Sequence, residues 1–136
     1  MTTLVSHSSL SVVPVVILQP LEQAYQYCYE ELKMSEFVLF RNVVLTISSI
    51  NAESSIYPDI PQMLAVGTVF DGKDEVTDDF VQRARVKNPK LRVVSFWSLV
   101  PVTVGVGLYD AIIERGREGR FCDLLLEEMR RFRTGV

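Results

Sequence analysis

Apolar positions recur along this chain with two periods. Val12–Leu18 reads Val-Val-Pro-Val-Val-Ile-Leu, a continuous and mostly β-branched run of the kind found in a strand buried on both faces. Pro14 has no N–H to donate, which predicts that this strand begins irregularly or at a sheet edge. Leu21, Ala24, Tyr25, Cys28, Tyr29 and Leu32 then recur at helical spacing and predict an amphipathic helix with Pro20 at its first position. Phe37–Phe40 is a second short apolar run. Between Val43 and Ile50 two readings stand: the β-branched content suits a strand, whereas Asn42 followed by Val43, Val44, Ile47 and Ile50 suits a capped helix. Pro58 and Pro61 break the chain before a strand candidate, Met63–Phe70, which closes in the turn Asp71-Gly72. Val76, Phe80 and Ala84 mark the inner face of a helix that starts among acidic residues and stops before Asn88-Pro89. Leu91–Phe96 and Ala111–Ile113 are the remaining strands. A last helix over about Glu118–Phe132 turns Phe121, Leu124, Leu125, Met129 and Phe132 inward and Arg120, Glu127, Arg130 and Arg131 outward.

Strands interleaved with helices require crossovers, and crossovers place helices on the sheet faces. The expected fold is therefore α/β with three layers: a five-stranded, mostly parallel sheet with helices on both faces. A length of 136 residues suits a single domain, here residues 12–136 after a flexible N-terminus at 1–11. Seven glycines and six prolines, with 48% hydrophobic and 23% charged residues, exclude collagen-like and low-complexity classes.

Charge is unevenly placed. The net value of −3 resolves into −3 over residues 1–40, −5 over 41–80 and +5 over 81–136. Such a balance argues against a dedicated nucleic-acid binder but leaves a basic C-terminal third as a local contact surface. Two cysteines, Cys28 and Cys122, are too few for a disulfide framework or a cysteine-based zinc site. The one histidine, His7, provides no pair for a metal centre or a catalytic triad. No signal-peptide pattern opens the chain, and no apolar run approaches the ~20 residues of a membrane span. A reduced, cytoplasmic protein with no membrane partner is expected.

Three stretches carry a family resemblance. Val15–Leu18 with Gln19-Pro20, then Pro61-Gln62-Met63-Leu64-Ala65-Val66-Gly67-Thr68-Val69-Phe70-Asp71-Gly72-Lys73-Asp74, then Asn88-Pro89 with Leu91–Phe96 and the strand within Gly107–Glu114 follow one another as in a response-regulator receiver. The chain resembles that flavodoxin-like domain over most of its length. The resemblance implies an acidic pair after the first strand to hold magnesium, an aspartate after the third to accept a phosphoryl group, and a lysine after the fifth. This sequence has Gln19 and Pro20, then Gly67, then Glu114 in those places. Ser98, or Ser95, matches the hydroxyl after the fourth strand, and Ala111 matches the aromatic three residues before the lysine. Asp71 is near enough to Gly67 to be the alternative, a shifted acceptor. With Gly67 as the acceptor position, the usual phosphorylation has no nucleophile.

The resemblance thus implies a degenerate, non-catalytic pseudo-receiver without a cofactor, acting on a protein partner or as a homodimer through its last strand and helix. Arg120, Arg130, Arg131 and Arg133 are its candidate basic surface, with Trp97 and Tyr109 as apolar anchors; core burial is the competing role for Trp97. A second reading is a small-ligand domain using the carboxyl ends of the strands near Gln19, Gly67 and Ser98. Asp71, Asp74, Glu75, Asp78 and Asp79 fit a solvated helix start better than a calcium loop. Gly105-Val106-Gly107 precedes a strand instead of following one, so it reads as a loop and not as a dinucleotide motif. Cys28 and Cys122 fall on apolar helix faces, where cysteine is a small hydrophobe.

Overall fold

The computed structural model describes residues 14–33, 43–67, 74–97, 108–113 and 121–133. In chain order these form β1 (Val15–Leu18), α1 (Glu22–Lys33), β2 (Val43–Thr46), α2 (Ser49–Ser54), β3 (Gln62–Gly67), α3 (Asp74–Lys87), β4 (Leu91–Phe96), β5 (Ala111–Ile113) and α4 (Phe121–Arg133). All four strand pairings are parallel, in the order β2-β1-β3-β4-β5. The expected five-stranded α/β sheet is the observed one.

Side-chain alternation divides the interior into two cores. Val15, Ile17, Met63, Ala65, Val94, Phe96 and Ile113 pack under α1 and α4 together with Cys28, Phe121, Leu125 and Met129. Val16, Leu18, Leu64, Val66 and Val93 face the other way, against Ala52 of α2 and Phe80, Val81 and Ala84 of α3. Each fully buried aliphatic or aromatic side chain contributes about 2 kcal/mol through removal from water. Because β1 and β3 lie inside the sheet and are covered on both faces, both are buried along their whole length. That explains their continuous apolar sequences.

Local chemistry refines several expectations. Pro14 immediately precedes β1, an interior strand, so its missing N–H lies outside the ladder while its carbonyl accepts from Met63 N at 3.0 Å. Of the two readings of Val43–Ile50 the strand holds for Val43–Thr46, and the helix capped by Asn42 does not: the helix starts only at Ser49, capped by Ser48, and takes in Ile50. Helix α1 begins at Glu22, later than Pro20, and Tyr29, expected on its inner face, is exposed. The run Phe37–Phe40, the end of the Met63–Phe70 candidate beyond Gly67, residues 1–13, Asp71 and Gly105-Val106-Gly107 lie outside the described residues.

Ser48 caps α2: its Oγ accepts from Asn51 N at 3.3 Å. Ser48→Ala should therefore cost about 1 kcal/mol, as loss of a helix N-cap does, read as a lower urea midpoint with an unchanged slope.

Candidate functional site

In a sheet of this order the chain turns in opposite directions after β1 and β3, which leaves a crevice at their carboxyl ends. Register places Leu18 beside Val66 and Gly67 beside Phe96. Gln19, Gly67 and Phe96 therefore line the same end of the sheet.

Gln19 is almost entirely buried, at 2% exposure. Its backbone N–H continues the ladder to Thr46 O at 3.0 Å. Its side chain folds over, and Oε1 accepts from Leu21 N at 3.0 Å at the start of α1. The amide consequently lies directly above Gly67. A Cβ built on Gly67 would overlap the Gln19 amide group, with the amide carbon 2.7 Å away and Phe96 Cζ at 3.0 Å. A side chain at residue 67 would have to displace the Gln19 amide: the crevice is occupied from within by that neutral group.

Trp97 follows β4 with its N–H donating to Ile113 O at 2.8 Å. Its ring is partly buried against the core under α1 and α4, with centroids 4.9 Å from Phe121 and 5.5 Å from Tyr27. Gln19, Gly67, Phe96 and Trp97 together hold no acid, base or nucleophile. What they offer is a neutral amide, a close backbone approach and an aromatic wall.

The other expected positions are distributed as follows. Pro20 leads into α1 beside Gln19. Ser98, Glu114 and Arg120 lie outside the described residues, as do the side chains of Cys122, Arg130, Arg131 and Arg133, whose backbones belong to α4. Tyr109 is 4% exposed and belongs to the core over α2 and α3, which corrects its assignment as a surface anchor: an anchor must be reachable by a partner. Ser95 is fully buried in β4, and its Oγ has no hydrogen-bond partner. Cys28 is buried on the inner face of α1, in the small-hydrophobe role expected of it.

Sequence reasoning missed Phe96 as a site residue. The signal was its place in the ladder beside Gly67, which only strand pairing reveals. It also missed the ion pair of Arg92 and Glu128, 2.7 Å apart under α4. Among the described residues no group of three or more His, Cys, Asp or Glu is placed to hold a metal ion, and no helix is long and apolar enough to cross a membrane.

No family model and no curated protein matches the chain. Two solved structures do. One is the adenylate cyclase from Rhodopirellula baltica, with TM-score 0.60 and 13% identity, covering 89% of this chain and 87% of that one. The other is a CheY-like protein (tadZ) from Pseudomonas aeruginosa PAO1, with TM-score 0.57 and 14% identity, covering 88% of this chain and 98% of that one. Likeness at this identity establishes the fold, a CheY-like α/β domain.

Proposed function

We propose that this chain is a receiver-like regulatory module that works by protein contact and without phosphorylation of an aspartate. One observation carries the reading: the Gln19 amide occupies the space over Gly67, at the end of the strand where a receiver holds its acceptor. Phosphoryl transfer to a receiver needs a carboxylate to attack phosphorus and acidic ligands for the metal that offsets charge on the phosphoryl oxygens. Gln19 is a neutral amide held by Leu21 N, Pro20 has a ring, and Gly67 has no side chain. The output is then binding to a protein partner in the cytoplasm, or to a second copy through β5 and α4, with the arginines of that helix steering the encounter. The small-ligand reading is the weaker one, because the same amide already fills the crevice such a ligand would enter. Nothing in the four-residue site supplies the groups of a catalytic reaction, and the activity named for the first structural neighbour belongs to that protein.

Addition of beryllofluoride with magnesium tests this. A ligand at 100 times its Kd stabilises a fold by about 2.7 kcal/mol, which for a chain of this size raises the melting temperature by several degrees. For this protein the expected shift is under about 1 °C. A rise of several degrees, or phosphate incorporated from acetyl phosphate, would reject the proposal.

A further inference from the structure

Side chains in a strand alternate between faces, so the consecutive Phe96 and Trp97 would ordinarily point to opposite sides of the sheet. Here they share one side. Trp97 adopts φ 57°, a left-handed backbone conformation that residues other than glycine, asparagine and aspartate seldom take. That turn brings its ring onto the Phe96 side, where the centroids are 5.2 Å apart with the planes at 80°. Phe121 closes the group, 4.7 Å from Phe96 and 4.9 Å from Trp97, and Tyr27 stands on the outer flank. At its other end the Phe96 ring meets the crevice, since Cζ lies 3.0 Å from the position of a Gly67 Cβ. A single ring thus meets both the crevice, through Cζ, and Trp97.

We propose that Trp97 is a two-position latch set through Phe96 by what fills the space over Gly67. With the Gln19 amide in that space, the Phe96 tip is fixed, and Trp97 is seated among Phe96, Phe121 and Tyr27. A strained backbone persists only where its surroundings over-determine it, and these ring contacts supply that constraint. Close-packed interiors do not absorb a displaced ring continuously; they change between discrete arrangements. Displacing the Phe96 tip therefore releases Trp97 toward an ordinary extended conformation and changes the aromatic surface that it forms with Tyr27. Tyr27, at 49% exposure, places that surface in reach of solvent. The coupling does not depend on whether an acyl phosphate forms, which the beryllofluoride measurement decides separately.

Trp97 is the only tryptophan in the chain, so its fluorescence reports the latch without a label. Gly67→Ala places a methyl group where the amide lies and should raise the acrylamide quenching constant of Trp97 about two-fold as the released state becomes populated, with the far-UV spectrum unchanged. Gln19→Ala vacates the space, leaves the Phe96 tip unsupported and should also raise the constant. In the double variant the alanine methyl takes up part of the vacated space, and the constant should return toward that of the parent. Gly67→Ala thus acts with opposite signs in the two backgrounds, whereas independent structural damage would add. A folded Gly67→Ala with the parent's quenching, or effects that simply sum, would overturn the latch. Where Gly67→Ala does not fold, Gln19→Ala alone decides: an unchanged quenching constant overturns it.

Discussion

Arg92→Met is expected to destabilise the fold by about 3–5 kcal/mol, as loss of one partner of a buried ion pair does. Arg92 lies in β4, and its guanidinium Nη2 donates to Glu128 Oε1 of α4 at 2.7 Å. Glu128 is 4% exposed along its side chain and Arg92 16%, so the carboxylate loses its guanidinium partner in a place water scarcely reaches. The effect should appear as a melting temperature lower by roughly 10–20 °C. The pair itself is no large net source of stability, because desolvating both ions offsets most of their attraction. Arg92 Nε, buried without a hydrogen-bond partner, adds to that cost. The double variant Arg92→Met with Glu128→Leu should accordingly recover most of the loss, to within about 1–2 kcal/mol of the parent. A double variant as unstable as the single one would show that the loss comes from packing and not from the broken ion pair.

Asn88→Leu is the second large effect, with an expected loss of about 3 kcal/mol, because it takes a partner from two part-buried backbone groups and from the buried Gln62 amide together. Asn88 is wholly buried. Its Nδ2 donates to Ile60 O at 2.8 Å and to Gln62 Oε1 at 3.4 Å, and its Oδ1 accepts from Lys90 N at 3.0 Å. Gln62, equally buried, accepts from Tyr57 N and donates to Ser55 O, both at 2.9 Å. Two side-chain amides thus satisfy the segment that leads from α2 into β3 and the turn that leads into β4. Leucine fits the volume but bonds to none of these groups, so the penalty is desolvation without compensation. Urea unfolding should show a lower midpoint at constant slope. A loss below about 1 kcal/mol would mean that water replaces the amide.

How far the sequence could be read follows from the range of each interaction. A continuous apolar run identified β1, because burial on both faces of a parallel strand leaves little room for polar positions; β4 was legible with the boundaries Leu91–Phe96 from Val93-Val94 flanked by apolar residues, although it also carries Arg92 and Ser95. Ala111–Ile113 was legible as the fifth strand from its short apolar run, although as an edge strand it is only partly buried. Helical spacing placed Phe80 and Ala84 of α3 and Leu124, Leu125 and Met129 of α4 on inner faces, as observed. Tyr29 shows the limit of that reasoning: its position in the period was inward, but α1 turns Cys28 to the core and leaves Tyr29 half exposed. Asn88 read as an ordinary turn residue before a proline, and its role as a buried cross-link was invisible because Ile60 and Gln62 are remote along the chain. Tyr109 read as a loop residue free to meet a partner and is core.

The sequence by itself determined an α/β chain with a parallel sheet, and its resemblance to a receiver implied that Gln19, Pro20 and Gly67 take the places of acidic groups. Periodicity and residue chemistry are local, so both conclusions needed only neighbours in the chain. The tertiary structure alone decided that Gln19 and Gly67 meet, that the amide of one takes the space over the other, and that Phe96 links this pair to a left-handed Trp97. Those contacts join three separate strand ends. They depend on the lateral register of β1, β3 and β4, which the pattern along any one strand does not encode.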